Sequence, residues 1–94
     1  MTGSAPAERT AVIVNQKGLH ARAAAKLVAL ASQFNARIEV SRNDMTANGQ
    51  SIMGLMMLAA SRHSVVRLRA TGPEAEQAVD AIAGLIAAGF YEQD

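Results

Sequence analysis

This sequence of 94 residues contains no cysteine, and aromatic side chains, net charge and long apolar runs are scarce. Without cysteine there is no disulfide scaffold, no thiol nucleophile and no zinc site built on thiolates. Aromatic residues make up 3% of the chain, too few for a platform that stacks nucleic-acid bases, and a net charge of +1 gives little attraction to phosphate backbones. No apolar run approaches the roughly 18 residues of a membrane span. These absences leave a small protein that acts on a partner or small ligand through a surface site.

What is present indicates one folded domain. Half of the residues are hydrophobic and 18% are charged, a composition that can bury a core. Residues 1–8 are small and polar and predict a flexible tail, which leaves residues 9–94 as the domain. Because residues 1–8 lack a cationic stretch followed by an apolar run, no secretory signal is predicted. We therefore expect the protein in the cytoplasm. We also expect a monomer, without membrane or nucleic-acid partners.

The hydrophobic pattern predicts the element order β-α-β-β-α-β-α. Strand-like alternation, as at Ile38 and Val40, suggests an antiparallel sheet covered by helices on one face, an α+β architecture. The predicted strands are 9–14, 37–41, 45–47 and 64–71, and the predicted helices are 21–33, 52–59 and a last one from Gly72-Pro73 to Gly89. The other sheet face is expected to be solvated rather than to bind nucleic acid, since its four charged residues include a glutamate: Arg37, Glu39, Arg67 and Arg69.

The segment Gly18-Leu19-His20-Ala21-Arg22 places a histidine where a glycine turn passes into a helix. The first N–H groups of a helix have no partner inside it, and with the helix dipole they favour anions. His20 can expose a ring nitrogen beside those donors, and the positive helix terminus favours the neutral, nucleophilic imidazole. A phosphoryl group accepted there would lie at the helix start, within reach of a charge-assisted contact from Arg22. The spacing alone leaves open a surface histidine that merely caps the helix.

The segment from Gln50 to Leu58 predicts a two-turn helix capped by the hydroxyl of Ser51. So short a helix can bury only one face, for which the candidates are Leu55, Leu58 and Ala59. The apolar residues that cannot all share that face are Ile52, Met53 and Met56. Exposed, flexible side chains of this kind often mark a docking surface, although methionine filling an irregular core is the alternative. A phosphate on Ser51 would be tolerated at the helix start and would disturb that surface.

The second histidine, His63, lies in a polar connection and is predicted to be a surface loop residue. The two histidines are far apart in sequence and lack matching carboxylates. No metal site and no cofactor are therefore predicted.

Together these segments resemble the HPr family, the histidine-containing phosphocarrier proteins of the phosphoenolpyruvate-dependent phosphotransferase system. Gly18-Leu19-His20-Ala21-Arg22, followed by alanines, resembles the active-site signature of the family, and residues 50–56 look like its regulatory-serine segment. The resemblance covers roughly residues 9–89. The endings Thr71-Gly72-Pro73-Glu74 and Gly89-Phe90 look closer to the nitrogen-related branch, called NPr.

The resemblance implies an open-faced β-sandwich, a four-stranded antiparallel sheet with three helices on one side. It implies that His20 accepts phosphate at Nδ1 from phosphorylated enzyme I and passes it to an EIIA-type protein, with Arg22 as the companion of the phosphohistidine. Such a protein is a carrier and not an enzyme. Ser51 would be the site of the HPr kinase/phosphorylase of some bacteria, and a relative that acts through Ser51 alone is the alternative function. The side chains that the resemblance places in the partner surface are Ile52, Met53 and Met56.

Two positions depart from the family pattern. Ala23 stands where proline usually follows the arginine, which keeps the helix and restores one N–H near the anion site. Gln50 stands where a basic residue commonly precedes the serine, which makes recognition of Ser51 by a kinase less secure.

Overall fold

The computed structural model describes residues 5–92. Its elements follow the predicted order, with a final 3₁₀ turn that the sequence analysis did not predict. The strands are β1 Ala7–Val12, β2 Arg37–Arg42, β3 Met45–Asn48 and β4 Val65–Thr71. The helices are α1 Ala21–Ala31, α2 Ile52–Met57 and α3 Ala75–Ala87, followed by the 3₁₀ turn Gly89–Tyr91.

The four strands form one antiparallel sheet in the order β1-β4-β2-β3. Buried and exposed residues alternate strictly along β4, which has a strand on either side. The register places Val40 of β2 opposite Leu68 of β4 and Ala47 of β3, so their side chains lie on the same inner face. The three helices cover that inner face, which confirms the predicted α+β architecture.

Each long helix contributes an apolar stripe to the core. The apolar stripe of α3 is buried throughout: Ala75, Ala78, Val79, Ile82, Leu85 and Ile86. In α1 the apolar spacing includes Ala24, Leu27 and Ala31, which are buried, and Val28, which is only partly buried. The opposite sheet face is polar, and its three arginines are exposed as predicted: Arg37, Arg67 and Arg69. Arg69 lies between Glu8 and Glu39 in the register, so its charge has carboxylates on both sides.

Several predicted boundaries were wrong by a few residues. Strand β1 begins at Ala7 instead of Arg9, because the Ala7 side chain is buried on the inner face opposite Ala70. Ala7 and Glu8 therefore belong to the sheet and not to the predicted tail 1–8, of which residues 1–4 lie outside the described residues. Helix α3 begins two residues after Pro73, at Ala75.

The end of the sheet where β1 finishes brings three connections together. Beyond β1, the amide of Ile13 donates to the Ser64 carbonyl at 2.9 Å and its carbonyl accepts from the His63 amide at 2.7 Å. The chain leaving β1 therefore runs beside the segment that joins α2 to β4. The turn after α3 joins them, since a Cβ added at Gly89 would lie 3.7 Å from the Cβ of Asn15. The turn at Gly18 and the following His20, which the sequence analysis selected as a candidate site, belong to the first of these connections.

Candidate functional site

The loop between β1 and α1, residues 13–20, carries His20 and is called the histidine loop below. It contains Gly18, which has φ of +67°. A Cβ at Gly18 would lie 2.5 Å from the Ala60 carbonyl oxygen, and the next amide, that of Leu19, donates to the same oxygen at 2.9 Å. Glycine is required here by both the backbone conformation and this close approach. The sequence analysis recognised the turn but not the contact with Ala60.

His20 is the N-cap residue of α1. Its carbonyl accepts from the Ala24 amide at 2.8 Å, while its side chain makes no capping hydrogen bond. Within the described residues, the amides at 21–23 have no hydrogen-bond partner, as expected for the first turn of a helix. The imidazole is 26% exposed and therefore accessible from solvent. A shallow cavity of about 220 Å³ adjoins the ring and reaches Lys17 and Ser61.

A carboxylate that the sequence analysis missed contacts the histidine ring. Nε2 of His20 forms a short hydrogen bond with Oε2 of Glu92, whose side chain is only 11% exposed. Glu92 follows the 3₁₀ turn, in which Phe90 is fully buried. The Phe90 carbonyl accepts from Nζ of Lys26 at 2.6 Å, which ties this turn to α1. Glu92 and His20 are 72 residues apart, so no local sequence pattern could connect them.

A buried amide side chain holds the carboxylate. Asn15 is 3% exposed, and its Nδ2 donates to the Gly18 carbonyl at 2.8 Å and to Oε1 of Glu92 at 3.0 Å. Its Oδ1 is buried without a partner in the part of the chain that the structure describes. From the sequence alone, Asn15 is an ordinary turn residue after an apolar segment. In the structure its buried amide also connects the histidine loop, of which it is part, to the carboxylate of Glu92.

The charge of Glu92 is stabilised by its neighbours. Burial alone would raise its pKa, but hydrogen bonds from His20 and Asn15, together with the positive charge of Lys26, lower the pKa below its usual value. Glu92 is therefore ionised at neutral pH. The sequence analysis considered only the positive start of α1 near the His20 ring. The ring also faces the negative charge of Glu92, so the two electrostatic influences on it have opposite sign.

Arg22 is exposed, and it has no hydrogen bond or ion pair with another described residue. The structure therefore places it next to His20 in sequence, as the second residue of α1, without bringing its guanidinium into contact with the ring. Its predicted contact with a phosphoryl group remains a prediction.

Helix α2 has the cap and the buried face that were predicted. The Ser51 hydroxyl accepts from the Gly54 amide at 3.0 Å, and Leu55 and Leu58 are buried. Ala59 was wrongly predicted to be buried, because it adopts φ of +52° and the next residue, Ala60, takes the buried position. Four large apolar side chains of α2 are exposed: Ile52, Met53, Met56 and Met57. The sequence analysis had selected the first three but not Met57. We call these four residues the methionine patch.

The other candidates fall outside this site. His63 is exposed with φ of +78°, which agrees with a surface loop residue. Among residues 5–92 there is no group of three or more His, Cys, Asp or Glu side chains placed to hold a metal ion. Within the same range, no helix has the length and hydropathy needed to cross a membrane.

Comparison with known sequences gives a consistent result. Residues 7–88 match the family described as the PTS HPr component phosphorylation site. The chain is 47% identical over 85 residues to phosphocarrier protein HPr of Cupriavidus necator, with 90% of this chain and 96% of that protein covered. It is 42% identical over 85 residues to phosphocarrier protein NPr of Shewanella violacea, with 90% and 93% covered.

Solved structures agree with the sequence comparison. The crystal structure of HPr-C-His from Thermoanaerobacter tengcongensis is similar with a TM-score of 0.88 at 42% identity, covering 94% of this chain and 99% of that one. A structure described as an HPr dimer from the same organism has a TM-score of 0.73 at 44% identity, covering 85% and 92%. Sequence, element order and fold therefore indicate the same group of proteins.

Proposed function

Since the chain belongs to the HPr family, the phosphocarrier proteins of the phosphotransferase system, we propose that His20 is the residue that carries the phosphoryl group. One observation carries this proposal: a partly exposed imidazole lies at a helix start whose first amides have no partner in the described chain. Like its relatives, the protein is a carrier and not a catalyst with turnover of its own.

The proposed step is a transfer of the phosphoryl group onto the ring nitrogen. The Nδ1 lone pair of His20 attacks the phosphorus of phosphorylated enzyme I, and a new N–P bond forms. The bond from phosphorus to the donor atom breaks, and its electron pair stays on that atom. In the second transfer a nucleophile of an EIIA-type protein attacks the phosphorus, and the N–P bond of His20 breaks with its electron pair returning to Nδ1. The partner proteins catalyse the two transfers, and this chain provides an imidazole nucleophile in a fixed position.

The phosphorylated form would be supported by the start of α1. A phosphoryl group on the ring adds negative charge where the amides of residues 21–23 and the helix dipole favour it. Arg22, which is exposed and unpaired among the described residues, is free to add a charge-assisted hydrogen bond. These contacts must stay modest, because strong stabilisation of the phosphohistidine would stop onward transfer.

The methionine patch is the proposed docking surface for both partners. Met53 is 73% exposed and Met57 is 68% exposed, so neither side chain is used to build the core beneath α2. Flexible, polarizable side chains can pack against more than one partner, which a carrier requires. The Leu19–Ala60 hydrogen bond joins the histidine loop to the segment that follows α2.

We further propose a branch of the family and a cellular setting for the protein. The sequence endings favour the nitrogen-related branch, in which a nitrogen-system enzyme I and its EIIA give a regulatory output, in the cytoplasm. The relatives reported above carry both names, HPr and NPr. We also propose a monomer, which light scattering can test against the dimer described for a relative.

The direct test of the carrier function uses the two histidines of the chain as a matched pair. The protein is incubated with phosphoenolpyruvate and enzyme I, and its mass is measured before and after acid treatment. We expect an acid-labile gain of one phosphoryl group that His20→Ala abolishes and His63→Ala leaves unchanged. A gain that persists in His20→Ala would remove His20 from this role.

The alternative function is regulation through Ser51 without phosphoryl carriage. The observation in its favour is that the Ser51 hydroxyl caps α2 next to the methionine patch, so a phosphate there would alter docking. With an HPr kinase/phosphorylase and ATP, this alternative predicts an acid-stable gain that Ser51→Ala removes and His20→Ala retains. Ser51→Ala also removes the cap and should lower the free energy of unfolding by about 1 kcal/mol.

A further inference from the structure

We infer that Asn15 is a positioning residue that acts through Glu92 to keep the hydrogen of the His20 ring on Nε2 and the lone pair on Nδ1. This inference rests on the proposed carrier function and adds to it a residue that touches neither the phosphoryl group nor the ring. It is carried by a chain of contacts from the Gly18 carbonyl through Asn15 and Glu92 to His20.

The orientation of the Asn15 amide is determined by its surroundings. Both contacts of its nitrogen are acceptors, namely the Gly18 carbonyl and Oε1 of Glu92. If the amide were rotated by half a turn, its own oxygen would face those two oxygens and both hydrogen bonds would be lost. The NH₂ group must therefore point this way, and Oδ1 is left buried without a partner among the described residues.

Asn15 is a polar side chain at a buried position, and its two donated hydrogen bonds explain why it is there. An apolar side chain of similar size would bring no polar group to satisfy, but it could not hold the Glu92 carboxylate. Residues that support a reacting group are often placed in this way.

The position of Glu92 determines which ring nitrogen is nucleophilic. An ionised carboxylate can only accept hydrogen bonds, so the Nε2 atom that faces it must carry the hydrogen. In the neutral ring the lone pair then belongs to Nδ1. When Nδ1 bonds to phosphorus the ring gains positive charge, the Nε2 hydrogen stays in place, and the poorly solvated carboxylate balances that charge.

The first test reads the tautomer directly and does not depend on phosphoryl transfer. Ring ¹⁵N chemical shifts of His20 are recorded in alkaline solution, on the plateau where they no longer change with pH, so that the neutral ring is observed. We expect an Nε2-protonated ring in the native protein and a shift toward a mixture of tautomers in Asn15→Ala and Glu92→Ala. Glu92→Gln should also weaken the native preference, because the single amide oxygen of glutamine cannot accept from both Asn15 and Nε2, and its NH₂ group can donate to an unprotonated Nε2.

The second test asks whether Asn15 acts through Glu92. Asn15→Ala should slow phosphorylation by enzyme I about tenfold, an effect typical of residues that orient a reacting group. In a Glu92→Ala background the same substitution should give no further loss, because the carboxylate that it holds is absent. Val79→Ala, in the core face of α3, is the control for lost stability alone and should leave the rate unchanged.

The outcomes separate this inference from the proposed function. An unchanged tautomer in Asn15→Ala, or equal rate losses from Asn15→Ala with and without Glu92, would overturn the inference and leave His20 as the carrier. Absence of phosphorylation in the native protein would overturn the carrier function, while the tautomer measurement would still stand. If Asn15→Ala does not fold, Glu92→Ala and Glu92→Gln decide the tautomer question, since Glu92 lies outside the helices and strands.

Discussion

The histidine loop and helix α2 are neighbours in the fold, but different interactions build them. In the histidine loop, polar groups that are largely buried hold one another, and Gly18 fits against Ala60 with no space for a methyl group. In α2, Leu55 is fully buried, whereas the methionine patch on the same short helix remains in solvent. The histidine loop is held by specific polar and steric contacts, whereas α2 presents exposed side chains that make no such contacts with the described residues.

The difference follows from what each region is proposed to do. Phosphoryl transfer requires a nucleophile in one orientation, because small misplacements of reacting atoms are costly. Docking to two partners requires a surface that can repack. The substitutions below test whether the two regions respond as differently as this comparison requires.

The largest contrast should appear within α2 itself. Leu55→Ala should lower the free energy of unfolding by about 2–5 kcal/mol, because Leu55 is fully buried and its loss leaves a cavity. Met53→Ala should change it by less than about 0.5 kcal/mol, since its side chain is 73% exposed. Urea denaturation measures both, and phosphorylation by enzyme I should show a raised KM for Met53→Ala. Similar stability losses for the two variants would contradict the description of α2 as a buried face with a free surface.

Two glycines test how tightly the histidine loop is constrained. Gly18→Ala should lower the free energy of unfolding by about 2–3 kcal/mol, because φ is +67° and the new Cβ would meet the Ala60 oxygen at 2.5 Å. Gly84→Ala is the control, since an added Cβ there has no neighbour within 4 Å. It should raise stability by about 0.5–1 kcal/mol, through the better helix propensity of alanine. Thermal unfolding of both proteins decides whether this position tolerates a side chain.

Acidification should weaken the histidine loop before it affects α2. The pKa of Glu92 is lower in the folded protein than its usual 4.5, so its contribution to stability is complete above that pH. The contribution is lost as the pH falls through the lowered value. Glu92→Gln should therefore be less stable than the native protein at neutral pH, and the difference should shrink as the pH falls below 4.5 and through the lowered pKa of Glu92. A difference in unfolding free energy that is independent of pH would contradict the ionised role of Glu92.

A small effect is also expected at Ala23, the third residue of α1. Its amide has no partner in the described residues, so Ala23→Pro should change stability by less than about 1 kcal/mol. Removing that donor should speed hydrolysis of the phosphohistidine about two- to fivefold, the value of one hydrogen bond. Ala25→Pro is the control and should cost about 3 kcal/mol, because it lies past the first turn. Slower hydrolysis in Ala23→Pro would show that the extra amide does not support the phosphorylated form.

The fold was predictable because its signals are local. Alternation predicted β2 and β4, a cluster of β-branched residues predicted β1, and a hairpin turn predicted β3. The spacing of apolar residues predicted α1 and α3, with errors confined to the ends of the elements. The start of β1 was missed because Ala7 owes its place to burial opposite Ala70, and a single alanine carries no pattern of its own. The left-handed backbone at Ala59 was missed because alanine is not expected in that region.

The site was only half predictable for a similar reason. His20 and Ser51 stand at helix starts, where the local sequence predicts what the side chain does. Glu92 meets His20 only after the chain has folded, and its own neighbourhood contains no motif. Asn15 showed one signal, a polar residue directly after an apolar strand, which is also the ordinary composition of a turn. A buried asparagine cannot be distinguished from an exposed one without the packing around it.

The hydrogen bond from the Leu19 amide to the Ala60 carbonyl has a mechanical consequence. This bond ties the loop before His20 to the segment that follows α2. The spacing between the methionine patch and the imidazole is therefore set by the fold itself, before any other molecule touches either region.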